Sequence, residues 1–169
     1  MYSPPYNRVE DRSELGEFMR RNSFAMLVTA TGGVHIPYHL GLEGHSDADV
    51  LLHAICDALL GAASLGDIGT HFPDTDPKYQ GSNSRTLLKE VAKKIAAQGY
   101  RIVNIDCTIV AQEPRLAGFL EAMRGVIAAV LETGAERVNV KVTSPDGLGA
   151  IGRGEGIAAH AVVLLEGAL

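Results

Sequence analysis

Apolar residues recur at helical spacing from Ser46 to about Leu65, with Leu52, Ile55, Cys56, Leu59 and Leu60 on one face. The other face carries an ionisable group at every fourth position: His45, Asp49, His53 and Asp57. Helical residues four apart lie one above another, so the spacing predicts a polar stripe along an otherwise greasy helix. Ser46 followed three positions later by Asp49 is a capping-box start for it. A second amphipathic stretch, SNSRTLLKEVAKKIAAQG, predicts a helix from near Ser82 that stops at Gly99. Phe119 to Leu131 predicts a third, and Glu10 to Arg20 a charged one.

Between the helices the period shortens. Tyr100 to Gln112 is β-branched and half-alternating, Arg137 to Ser144 (RVNVKVTS) alternates cleanly, and Ile157 to Leu165 follows the glycine-rich IGRGEG. Ser23 to Ala30 (SFAMLVTA) predicts another strand, then a turn at Gly32-Gly33 and a short extended piece, VHIPY. Asp67 to Tyr79, with two prolines, reads as loop. Strands alternating with helices over one uninterrupted length predict an α/β sandwich in a single domain.

Composition narrows the function. The 169 residues carry a formal charge of −5, which argues against a general nucleic-acid binder but admits one phosphorylated small molecule. Cys56 and Cys107 lie in apolar surroundings and are expected to be buried thiols in a reducing cytoplasm. No run of 18 apolar residues exists, and the chain's start lacks a signal-peptide layout, so a soluble, cytoplasmic protein without a membrane partner is expected.

His53 and Asp57 are flanked by Leu, Ala and Ile and should be partly buried. A His with a carboxylate one turn away suits a zinc ligand with its supporting partner, the plain alternative being a solvated helix face. Asp67, Asp74 and Asp76 crowd ten residues, which fits a solvated loop or a divalent cation. The Gly152-Arg153-Gly154-Glu155-Gly156 string sets two opposite charges between glycines, as a flexible turn also would.

The segments GGVHIPY, GLEGHSDADVLLHAICDALLGAASLGDIGTHFPDTDP, GSNSRTLLKE, VNIDCTIVAQEP, RVNVKVTSPDGLG and GRGEGIA together resemble the 2-C-methyl-D-erythritol 2,4-cyclodiphosphate synthase family of the non-mevalonate isoprenoid pathway. The resemblance spans about Gly32 to the C-terminus, and HSDADVLLHA with LGDIGTHFPDTDP carries most of its specificity. It implies a mixed sheet covered by helices on one face, a homotrimer with sites between subunits, and a ring closure that expels CMP. It implies Zn2+ on the substrate phosphates and a second divalent ion, Mg2+ or Mn2+, on the diphosphate. By position His53 matches a zinc ligand with Asp57 behind it, and Asp146 a ligand of the second ion. His45 and Ser46 match contacts to the substrate phosphate, and His45 and Ser144 the charge-stabilising catalytic pair. Asp67, Ile68 and Gly69, with Phe72, Pro73, Asp74, Thr75 and Asp76, match the loop around methylerythritol. Ala111, Pro114, Arg115 and Leu116 fall where cytidine is held, Thr143 and Ser144 beside the phosphates, and Arg153 and Glu155 near the trimer axis.

Three departures accompany the match. The family's opening Asp-x-His strand, both of whose named residues bind zinc, has no counterpart: residues 1–31 contain no histidine. Asp146 stands where the family places Glu, and Arg115 where Lys is usual. The first 33 residues instead resemble the opening of FMN-binding split-barrel regulators, through MYSPPY and NSFAMLVT, so a fused or replaced gene start is expected. The division is therefore an atypical helix-strand segment, 1–31, before a cyclodiphosphate synthase-like domain, 32–169. The rival expectations are a non-catalytic trimer that binds cytidine nucleotides or isoprenoid diphosphates, and a flavin-binding regulator.

Overall fold

The computed structural model of the protein describes residues 22–23, 28–33, 50–73, 75–79 and 82–167. The expected helix at 10–20, the VHIPY stretch, His45, Ser46, Asp49 and Asp74 lie outside the described residues.

Alternation along three long strands builds the sheet. In β3 (Tyr100–Val110) Ile105, Cys107 and Ile109 are buried; in β4 (Val138–Thr143) Val138 and Val140 are; in β5 (Gly156–Gly167) Ala159, Ala161, Val163 and Leu165 are. One face is therefore apolar and covered, as period-2 patterning requires. The short β1 (Asn22–Ser23) and β2 (Val28–Gly33) both pair antiparallel with β5, and the order β1-β5-β3-β4 completes a mixed five-stranded sheet.

The helices lie on that apolar face. Helix α1 (Val50–Ala62) rests on β5 with Ile55, Cys56, Leu59 and Leu60 fully buried, and its small Ala54 and Ala58 are buried too. After the single turn α2 (Ile68–His71), helix α3 (Ser84–Ala97) packs on α1 and contributes Leu88, Val91 and Ile95. Helix α4 (Leu120–Val130) covers β4 with Ile127 and Ala128. Gly99 ends α3 with φ +78°, donating its amide to Ala96 at 2.9 Å, a left-handed exit open to glycine.

Two expectations change here. Gly32 and Gly33 are not a turn: they continue β2, opposite Ile157 and Gly156, because the first residues of β5 offer them ladder partners. Asp67 to Tyr79 is not all loop, since Asp67 caps α2 through the Thr70 amide.

One pairing decides which strand ends lie side by side. β3 and β4 run parallel, from Ile105 opposite Val138 to Val110 opposite Thr143, with α4 as the crossover. Their carboxyl ends therefore finish side by side, and β5, antiparallel to β3, starts at that same end with Ala158 opposite Val110. Loops past the carboxyl ends of parallel strands are where open α/β sheets hold ligands.

Candidate active site

Two loops leave that sheet end together. Ala111 extends the β3–β4 ladder by one bond, its amide donating to the Thr143 carbonyl at 3.1 Å. The chain then bends through Glu113-Pro114, a cis peptide, and dives back at Leu116, leaving Ala111 and Leu116 buried and Arg115 exposed between them. From β4 the chain runs through Ser144 to a tight turn at Asp146-Gly147, both with positive φ. Gln112 joins the loops: its Oε1 accepts the Ser144 hydroxyl at 3.0 Å and the Gly147 amide at 2.9 Å. Ser144 Oγ in turn accepts the Asp146 amide at 3.1 Å. The turn α5 (Gly149–Gly152) backs this corner, because a Cβ at Gly152 would collide with the Gly147 backbone.

Ala111, Pro114, Arg115, Leu116, Thr143, Ser144 and Asp146 are thus neighbours along two adjoining strand ends. Gln112 was not singled out in the sequence. Its only signal there is position, a polar side chain directly after an apolar strand and before Pro114. Arg153 and Glu155 sit just before β5 and form an exposed fork, Nε to Oε1 at 2.6 Å and Nη2 to Oε2 at 3.1 Å. The Arg153 hydrogen bonds hold Glu155 below the usual carboxylate range.

A second group gathers at α1. His53 is half-buried, and its Nε2 lies 3.1 Å from the Oγ of Ser84, which is itself 1% exposed. Asp57, one turn further, does not pair with His53 as its spacing suggested. Its Oδ1 accepts the Ile68 amide at 2.7 Å and so fastens the start of α2 to α1. Helix starts leave amides without partners, and a carboxylate near an N-terminus is a strong acceptor for them.

The acidic loop is largely self-satisfied. Asp67 Oδ1 accepts the Thr70 amide at 2.7 Å, and Asp67 is held below the usual range by the Thr70 side-chain and backbone hydrogen bonds. Asp76 Oδ1 accepts the Lys78 amide at 2.9 Å, and His71 Nε2 donates to the Leu65 carbonyl at 2.8 Å. Phe72 meets Tyr79 edge-on, with ring centroids 5.3 Å apart. Asp67, Ile68, Gly69, Phe72, Pro73, Thr75 and Asp76 therefore share one folded loop, in which both described carboxylates bind backbone amides.

Among the described residues, no three of His, Cys, Asp and Glu come close enough to hold a metal ion. Ser84 meets one ring nitrogen of His53, as an outer partner of a metal-ligating histidine would, and the described residues around it do not complete the three-ligand sphere of a catalytic zinc. Asp146 is exposed and its carboxylate has no ion pair among the described residues, which suits a Mg2+ or Mn2+ ion shared with substrate phosphates. Cys56 and Cys107 are free and buried, and burial pushes both thiols up to about 12. No helix among the described residues is long and apolar enough to cross a membrane.

Known proteins resemble this chain in sequence and in fold. A protein of Alkaliphilus oremlandii named 2-C-methyl-D-erythritol 2,4-cyclodiphosphate synthase is 62% identical over 131 residues, which is 78% of this chain and 83% of that one. The bifunctional IspDF of Campylobacter jejuni superposes with a TM-score of 0.74 at 40% identity over 87% of this chain, which spans 42% of that longer protein. A CDP complex of IspF from Plasmodium falciparum gives 0.68 at 27% identity, over 88% of this chain and 97% of that one. The YgbB family pattern matches residues 23–166, and by that match, with the identity to named synthases, the chain belongs to the YgbB family of 2-C-methyl-D-erythritol 2,4-cyclodiphosphate synthases.

Proposed function

We propose that this chain converts 4-CDP-2-C-methyl-D-erythritol 2-phosphate to the 2,4-cyclodiphosphate and CMP. A 2-phosphate oxygen attacks the β-phosphorus, the bond from that phosphorus to the bridging oxygen breaks, and CMP departs with the oxygen. The observation that carries the reading is the parallel β3–β4 pairing, which puts the Ala111–Leu116 loop beside Thr143 and Ser144. In this reading the first loop takes cytidine, and Arg115 offers the phosphates a forked pair of donors. Thr143, Ser144, His45 and Ser46 contact phosphate, and the loop of Asp67, Ile68, Gly69 and Phe72 to Asp76 encloses methylerythritol. Asp146 would hold Mg2+ or Mn2+, which would supply positive charge to offset that of the substrate phosphates. Catalysis then consists of holding two phosphates in line rather than of covalent attack by the protein.

The α1 group and the strand-end group are not joined by any hydrogen bond or ion pair among the described residues. In this reading the protein is a homotrimer in which each site takes one group from each of two neighbours. Arg153 and Glu155 would then stand near the three-fold axis.

The lack of an Asp-x-His counterpart in residues 1–31, which contain no histidine, favours a second reading, a family-fold trimer that binds cytidine nucleotides without cyclising them. One experiment separates the two. Purified protein is mixed with substrate and Mg2+, and the cyclic product and CMP are followed by 31P NMR beside elemental analysis for zinc. Slow CMP release that rises about 10³-fold when an Asp-x-His strand replaces residues 1–31 supports the synthase with a deficient metal site. CDP binding with no product from either protein establishes the binder instead.

A further inference from the structure

In the synthase reading Ser144 stabilises phosphate charge, yet its single proton already has a partner. A serine hydroxyl has one O–H to donate and two lone pairs. The proton points at Gln112 Oε1, and one lone pair takes the Asp146 amide. A phosphate oxygen only accepts, so Ser144 can serve it only by turning its O–H away from Gln112. Gln112 keeps a second bond, the Gly147 amide at 2.9 Å, which does not depend on the Ser144 proton. That bond holds the Asp146-Gly147 turn while the hydroxyl is released.

We propose that Gln112 is a positioning residue for the phosphate half of the site. It fixes the 144–147 corner against the nucleotide loop through Gly147, and parks the Ser144 proton until a phosphate competes for it. The inference rests on the synthase reading, because it needs a phosphate beside Ser144. It assigns specificity for phosphorylated over unphosphorylated ligands to a residue that touches neither base nor phosphate.

The test uses the full chain with Gln112→Met, close in length but without the acceptor, and Gln112→Glu, which keeps it. Calorimetry compares CDP with cytidine, and amide exchange is read at Asp146 and Gly147 without ligand. Gln112→Met should weaken CDP about five- to tenfold, leave cytidine within about twofold, and speed Gly147 exchange by a similar five- to tenfold. Gln112→Glu should restore the slow exchange at Gly147 but not CDP affinity, because its charge repels phosphate. With Ser144→Ala already present, Gln112→Met should cost CDP markedly less than it does alone. Equal losses for CDP and cytidine, or unchanged exchange at Gly147, would overturn the positioning role. If wild-type protein binds cytidine but not CDP, the phosphate placement of the synthase reading fails, and the inference with it. The exchange rates report separately whether the Gln112 link exists.

Discussion

Asp57→Ala removes the acceptor that fastens the start of α2 to α1. The Asp57 carboxylate is half-buried and accepts the Ile68 amide at 2.7 Å across eleven residues of chain. A hydrogen bond to a charged group contributes roughly 1.5–3 kcal/mol, and half-exposure places this one near the middle, about 2 kcal/mol. Alanine returns about 0.5 kcal/mol through better helix propensity inside α1. The expected net loss is about 1.5 kcal/mol, or about 3–6 °C in Tm for a chain of this size. Asp57→Asn retains an acceptor oxygen and should lose about half as much. Thermal melts at one fixed protein concentration measure the first quantity, and amide exchange at Ile68 the second. Exchange at Ile68 should quicken in Asp57→Ala, while the His53 ring 15N shifts stay put in Asp57→Asn. A melt within 1 °C of wild type with unchanged Ile68 exchange would show that this bond does not form in solution. A moved His53 ring would show that Asp57 serves the histidine after all.

Three further outcomes are expected. Arg115→Ala should weaken CDP binding by about 1.5–3 kcal/mol in calorimetry if the exposed guanidinium meets a phosphate, and unchanged affinity would put the nucleotide elsewhere. Cys56 and Cys107 should be inert to a thiol reagent at pH 8 in the folded protein and react on unfolding. Burial raises both thiols from 9.0 to about 12, so the stability they confer is complete below pH 9 and is lost as pH rises toward 12, which urea midpoints at pH 8 and pH 10.5 would reveal. Light scattering at micromolar concentration should give about three times the 17.9 kDa chain mass, and a monomer would remove the inter-subunit site.

The sequence by itself determined the elements whose signal is local. Periodicity located α1, α3, α4 and the strands β3, β4 and β5, because their buried residues follow the period of a helix or a strand. Gly99 marked the end of α3 because only glycine leaves a helix cheaply at positive φ. The dense motifs HSDADVLLHA and LGDIGTHFPDTDP pointed to the family that the comparison found. Two edges of that reading depended on distant partners instead. Gly32-Gly33 reads locally as a turn, but Gly156 and Ile157 convert it to strand. Asp57 stands one turn from His53, yet an unpartnered amide at the start of α2 is the better donor for its oxygen.

Tertiary structure decided which of the candidate residues are neighbours. Ala111 and Thr143 are thirty-two positions apart, and nothing local says that β3 and β4 pair in parallel, in the register that makes them neighbours. That register is a long-range outcome of ladder hydrogen bonds and of burying Ile105, Cys107, Val138 and Val140 on one face. Gln112 becomes a clamp, and Ser84 a partner for His53, only after those elements have met. A side chain's type states what it can donate or accept; the fold decides which group arrives to use it.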